Sequence, residues 1–206
     1  MKYQWEGLDI LAPLTFKSNQ TVWTVEKLDK SIDRLSHPSQ RWDLSFAVKS
    51  NEGENFAFRA LTGDFSVASF MPMPSLLRSD HKSSLNGRPA VGAIKLESTA
   101  AAGVSTVTIK NSVATSFAVG VGTFVQFSNH NKVYVMTSDR TFPASTAATT
   151  MNFFPKLRVS VPANTTVKFY DEVTYHYYLD TNNLQGITYV DGQLFGIDNV
   201  SLWEAL

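Results

Sequence analysis

Apolar and polar positions alternate along much of this chain, and the repeat is two residues far more often than 3.6. Arg41-Trp-Asp-Leu-Ser-Phe-Ala-Val48 sets Trp42, Leu44, Phe46 and Val48 against polar or small partners, the pattern of a half-buried strand. Ile94-Lys-Leu-Glu97 and Ser105-Thr-Val-Thr-Ile109 repeat it. So does Lys156-Leu-Arg-Val-Ser-Val161, where Leu157, Val159 and Val161 would share a face. Val173-Thr-Tyr-His-Tyr-Tyr-Leu179 is a β-branched and aromatic run, with Asp180-Thr-Asn-Asn183 ready to turn it. Asp191-Gly192 between Ile187-Thr-Tyr-Val190 and Gln193-Leu-Phe195 is the strongest short hairpin signal. A second hairpin is expected over Val121 to Asp139, where two apolar runs flank the polar tetrad Ser128-Asn129-His130-Asn131.

Helical patterning is scarce. Glu54-Asn-Phe-Ala-Phe-Arg-Ala-Leu61 is a short candidate, with Gly63 placed to stop it. Thr24 to Leu35 carries Val25, Leu28, Ile32 and Leu35 at helical spacing, but Asp29, Ser31 and Asp33 are mediocre helix formers and Val22-Trp-Thr-Val25 reads as strand. A strand and turn is the expectation there.

Composition divides the chain. Ser79 to Pro89 is polar, with a Gly and a Pro, and reads as a linker or exposed loop. From Gly92 to Val167 the chain is rich in Ser, Thr, Val and Ala and almost free of acidic residues, and after Asp171 the aromatics return. Val173 to Leu206 supplies too few strands to stand alone in water. A small β unit inserted between two parts of another β domain is therefore expected, at residues 91–171 within 1–90 plus 172–206.

At 206 residues the chain is long enough to bury a real core. Its 18 basic and 18 acidic residues cancel, which argues against gripping nucleic acid by its phosphates and makes self-association easier. The absence of cysteine removes disulfides, thiolate zinc sites and cysteine nucleophiles together. Met1 to Phe16 fails as a signal peptide because Glu6, Asp9 and Pro13 interrupt any apolar run, and no stretch approaches the roughly 20 apolar residues of a membrane span. A soluble chain made in a cytoplasm, with no membrane partner, is the expectation.

No constellation of residues marks a reaction. Gly120-Val-Gly122 lacks the third glycine of a dinucleotide loop and leads into strand, so a glycine turn is the better reading. His37, His81, His130 and His176 lie far apart without metal-ligand spacing, and His130 reads as a solvated turn residue. Ser79-Asp80-His81 holds triad residue types without triad geometry, and Asp171-Glu172 reads as a solvated turn. The expectation is a non-enzymatic chain with no catalytic residue, no cofactor and no metal. Most of the aromatics alternate as core positions do, Trp203 among them as a residue closing the core.

Three stretches together resemble the distal tail (Dit) proteins of long-tailed, non-contractile bacteriophages. One is Ser39-Gln-Arg-Trp-Asp-Leu-Ser-Phe46, followed by Phe56 to Leu61, Thr62-Gly63-Asp64-Phe65 and Met71-Pro-Met-Pro74. The second is Gly122, Phe124, Phe127 and Lys132-Val-Tyr134, with Met151-Asn-Phe-Phe-Pro-Lys-Leu157, similar to the small OB-type barrel inserted in one branch of that family. The third is Ile187 to Phe195 through Val200-Ser-Leu-Trp-Glu204, similar to the strand that closes the first domain. The order of elements matches over most of the chain. His37-Pro-Ser-Gln40 stands where members often carry a glycine-rich step.

The resemblance implies a mostly β fold: a β-sandwich-like domain with a short helix, interrupted by a small OB-like β-barrel. It implies a virion protein at the distal end of the tail, made in the host cytoplasm, whose copies close a ring, usually of six. That ring would join the tail-tube protein to the tail-tip hub and offer a platform for side fibres or receptor-binding proteins. On that reading the barrel points outward, and the hairpin tip, Asn129, His130 and Asn131, holds the candidate partner-binding residues. Exposed sheet edges, and aromatic strands such as Val173 to Leu179, would supply the interfaces. The basic residues Lys95, Lys110, Lys132, Arg140, Lys156, Arg158 and Lys168 are scattered in the sequence, so no sequence-specific nucleic acid is expected. The alternative is a non-catalytic carbohydrate-binding β module that presents its aromatics to glycans.

Overall fold

In a computed structural model the chain is mostly β. The structure describes residues 4–5, 8–20, 22–26, 30, 32–36, 40–49, 69–72, 92–114, 116–144, 148–180, 187–190 and 193–206. In chain order the strands are β1 (Gln4–Trp5), β2 (Leu8–Asn19), β3 (Val22–Glu26), β4 (Ile32–Ser36), β5 (Arg41–Lys49) and β6 (Ser69–Pro72). Then come β7 (Ile94–Leu96), β8 (Thr106–Asn111), β9 (Phe117–Val119), β10 (Phe124–Phe127), β11 (Val133–Met136), β12 (Arg140–Phe142), β13 (Ala148–Phe154) and β14 (Val167–Phe169). A short 3-10 turn, Tyr170–Glu172, leads into β15 (Thr174–Leu179), β16 (Ile187–Val190) and β17 (Gln193–Glu204).

Two large antiparallel sheets account for most of these strands. The first has the order β1-β2-β5-β17-β15-β6, with β16 paired to β17. The second has the order β14-β10-β11-β13-β8-β7 and is drawn wholly from residues 94–169. It curls until its ends meet. Leu96 N–H donates to Thr165 O at 2.9 Å, Asn164 N–H donates to Leu96 O at 2.9 Å, and Lys95 bridges Thr166. The result is a nearly closed, barrel-like sheet, which satisfies the backbone groups an open edge would leave bare. A small ribbon, β9 with β12, adds Phe117, Val119 and Phe142 to the barrel interior.

Each sheet has its own core. Trp42, Leu44, Phe46 and Val48 of β5 join Val200 and Leu202 of β17 and Tyr175, Tyr177 and Leu179 of β15. The barrel interior holds Leu96, Ile109, Phe127, Tyr134, Met151, Phe153 and Phe169 among others. The period of two in the sequence is what sorts these residues inward, since successive side chains leave a strand on opposite faces.

Several expectations meet the structure directly. Residues 24–35 contain no helix among those described: β3 and β4 form an antiparallel hairpin, with Trp23 opposite Leu35 and Val25 opposite Asp33. The helical spacing of Val25, Leu28, Ile32 and Leu35 loses to β-branched residues that prefer an extended backbone. Val190 pairs with Gln193, as a two-residue hairpin loop requires, while Asp191 and Gly192 themselves lie outside the described residues. Gly122 stands at φ 84, in the left-handed region that glycine enters freely, so the glycine turn before β10 is real. The candidate helix Glu54 to Leu61, the linker Ser79 to Pro89 with Ser79-Asp80-His81, and His37 lie outside the described residues.

Two expectations are corrected. Lys156 to Val161 is no strand. Its ends pair with residues 100–104, through Leu157 N–H to Val104 O and Val161 N–H to Ala100 O, and the stretch between arches outward, leaving Val159 exposed. β15 is an inner strand, held between β17 and β6, with Tyr175 and Tyr177 in the core and Tyr178 exposed. Trp203 does not close the core. It alternates with buried Leu202 and Glu204, so it falls on the opposite, outer face of the sheet.

Leu44 is fully buried at the centre of the first core. Leu44→Ala is expected to cost about 2–5 kcal/mol of stability through lost burial and a residual cavity, read as a lowered midpoint in urea unfolding.

Candidate functional site: the hairpin wall and its buried ion pair

The β10–β11 hairpin is buried on both faces. Phe124 on β10 and Val133 and Val135 on β11 pack into the core of the first sheet. Val125, Phe127, Tyr134 and Met136, the alternate residues, pack into the barrel. One hairpin is thus the common wall of two cores. It is not a free projection, and only its tip reaches the surface.

Polar groups fasten this wall to the first sheet. Gln126 is buried, and its amide is satisfied across the junction: Oε1 accepts Thr174 N–H at 3.1 Å, and Nε2 lies 3.0 Å from both Thr174 O and Asn131 O. Lys132 extends this fastening from the start of β11. Its ammonium donates to Gln40 O at 3.0 Å, to Gln40 Oε1 at 2.7 Å and to a carboxylate oxygen of Glu204. Glu204 also accepts Trp42 N–H at 3.0 Å and Val133 N–H at 2.8 Å. Trp42 returns the contact by donating its indole N–H to Val133 O at 2.8 Å. Tyr175 O–H donates to Trp42 O at 2.7 Å beneath it.

The two charged side chains are 3% and 0% exposed, so the pair is cut off from water. Burial pushes the Glu204 carboxyl above its usual range and the Lys132 ammonium below its own. Each opposes the other's shift by charge and hydrogen bonding. The arrangement works because every strong acceptor and donor of the pair is used. Take away one partner and a buried charge is stranded.

At the tip, His130 corrects the reading of a solvated turn. Its ring stacks on Phe127 with centroids 5.9 Å apart and meets the edge of Tyr134 at 5.6 Å. Its two nitrogens lie 2.8 Å from Asn129 Oδ1 and 2.8 Å from Tyr134 Oη. Tyr134 Oη already accepts Arg158 N–H, so its own proton is free to go to His130 Nε2, which leaves Nδ1–H to donate to Asn129. Partial burial, then the charges of Arg158 and Lys132, lower the His130 pKa from 6.5 to about 4. Asn129 reaches across to Ser160 O at 3.2 Å, and Asn129 and Asn131 are the exposed members of the tip. Of the three candidate residues, then, Asn129 and Asn131 face solvent, Asn129 also bracing the arch at Ser160, and His130 is held between Asn129 and Tyr134.

The scattered basic residues separate by role. Lys132 belongs to the interior. Lys95 stands directly opposite Lys110 across β7 and β8, and Lys110 is paired with Glu97 at 3.2 Å. Asp171 and Glu172 fall in the 3-10 turn, where burial raises the Glu172 pKa and Lys168 opposes it. His176 lies on the outer face of β15, alternating with Tyr175 and Tyr177. Among the described residues no group of three or more His, Asp or Glu is placed to hold a metal ion.

The junction of Gln40, Lys132 and Glu204 was not anticipated from the sequence. Its signal was nonetheless present: Gln40 continues the inward parity of Trp42, Leu44 and Phe46, and Glu204 that of Val200 and Leu202. Comparison with models of known protein families and with characterised protein sequences gives no match.

Lys132→Met is expected to cost about 3–5 kcal/mol, because Glu204 is left buried and unpaired. Adding Glu204→Gln should restore part of that loss, and a double-mutant cycle in urea should give a coupling above about 1 kcal/mol. Additive single effects would contradict the pair. A separate effect follows from His130. The unfolded chain takes up that proton near pH 6.5 and the folded chain only near 4, so its contribution is complete above 6.5 and is lost as pH falls toward 4. Thermal midpoints measured across this window should fall with pH, and His130→Asn should flatten the slope.

Proposed function

We propose that the chain is a structural protein of a phage tail tip, a ring-forming subunit of the distal tail type, and that its role is assembly rather than catalysis. Copies would close a ring, in the expected number six, between the tail-tube protein and the tail-tip hub. The barrel-like unit would serve as the docking platform for side fibres or receptor-binding proteins.

The single observation that carries this reading is the shared hairpin wall. A platform must pass force and position from the part that forms the ring to the part that holds the neighbour. Two cores joined by a wall buried on both faces, with a desolvated ion pair at the joint, behave as one stiff body. The order of segments agrees: strands from residues 4–72 and 174–204 build the first sheet, and residues 94–169 build the barrel-like one between them. A closed ring needs two different patches on each copy, and the outermost strands in the order of the first sheet, β1 and β6, would offer their edges for such contacts. The balanced charge of 18 against 18 lets copies pack without net repulsion.

The test is immunogold labelling of particles from the source by electron microscopy. Gold is expected at the distal end of the tail tube. Tails without label, with the protein recovered only free of particles, would overturn the assignment.

A further inference from the structure

The outer face of the first sheet carries a row that neither core uses. Lys17 stands opposite Asp43, Asp43 opposite Trp203, and Trp203 opposite Tyr178, in register across β2, β5, β17 and β15. All four lie on the side away from Leu44, Leu202 and Tyr177. Adjacent strands are about 4.8 Å apart, so the two aromatic rings rise from neighbouring positions on one face. Tyr178 is 44% exposed.

Two polar groups frame the rings. The Arg41 guanidinium lies 4.5 Å from the centre of the Trp203 ring, and its Nε is 3.6 Å from Asp43 Oδ1. Asn19 Nδ2 donates to Asp43 Oδ2 at 3.0 Å, whereas Oδ1 accepts no hydrogen bond although it is shielded from water. A shielded carboxylate oxygen without a donor is costly and asks for a reason. Arg41 covers it at a distance too long for a hydrogen bond. Were the guanidinium to swing outward, it would bare both the Trp203 face and the waiting acceptor.

We propose that this row is a saccharide-binding face for a neutral, extended oligosaccharide. The chemistry favours that occupant in three ways. Exposed Tyr178, and Trp203 once Arg41 has swung off its face, present apolar ring surface to the C–H face of a pyranose ring while their rims stay wet. Asp43 Oδ1 accepts a sugar hydroxyl, and the displaced Arg41 offers several donors to ring and glycosidic oxygens. The local charges, Lys17 and Arg41 against Asp43 with a partner already on one carboxylate oxygen, leave no strong excess of one sign to select a polyanion.

This binding stands apart from the ring assignment, and the isolated chain suffices to test it. Chitotetraose and cellotetraose, titrated to millimolar concentration into the labelled protein, are to be followed through the Trp203 indole N–H resonance by NMR. At least one of the two is expected to shift it in a saturable way. Tyr178→Ala, an exposed substitution that leaves the core untouched, should weaken binding about tenfold, and Asp43→Asn should weaken it as well. Trp42 gives an internal control, since its indole N–H is buried on Val133 O and should not move. No shift with either sugar overturns the proposal, as does a shift that Tyr178→Ala leaves unchanged. If the row is instead a contact between copies, the Trp203 resonance will depend on protein concentration and not on sugar, and that outcome also overturns it.

Discussion

The ion pair between Lys132 and Glu204 is the constraint on which the rest of the molecule turns. Neither charge could remain in the interior alone, and neither belongs to the same sheet as the other. Their attraction does not by itself explain stability, because removing two ions from water costs about as much as their pairing returns. What the pair fixes is position. Glu204 holds the backbone N–H groups of Trp42 and Val133 at once, so the closing strand, the central strand and the hairpin wall can meet in one register only. A purely apolar joint would tolerate sliding by a residue or two, whereas a carboxylate shared among three donors does not.

The fold was legible to the degree that one face of each strand met a core. Trp42 through Val48 could be sorted inward from parity alone, and the same holds for Tyr175 and Tyr177. Parity fails where both faces are covered. Phe124 to Phe127 is buried at every position, so its sequence announces a strand but not that it divides two interiors. It fails again at Lys156 to Val161, where a perfect alternation meets too few partners to be drawn into a sheet and arches instead. In that stretch the neighbouring backbone decided, not the side chains.

The candidate site was legible only in part. His130, Asn129 and Asn131 were found because a polar tetrad between apolar runs must be a turn, yet nothing local revealed that Tyr134 and Asn129 would hold the imidazole between them. Lys132 looked like one of seven scattered cations. Its partner lies 72 residues away, a separation that no pattern of spacing encodes. Trp203 was misplaced for the opposite reason: bulk argued for the interior, while its position between Leu202 and Glu204 argued for the outside. Parity was the better guide.

The nesting of the barrel-like sheet inside the chain sets an order of events during synthesis. β5 pairs with β17, and Trp42 waits for Glu204 across 162 residues. Residues 94–169, which hold every strand of the barrel-like sheet, are synthesised before that closing strand. The early strands β2 and β5 must therefore spend most of translation without their central neighbour, carrying Leu44, Phe46 and Val48 on an unfinished edge. In the finished fold those residues share a core with Phe124 and Val133 of the middle segment. A sheet whose two halves lie so far apart along the chain can close only when its last strand arrives.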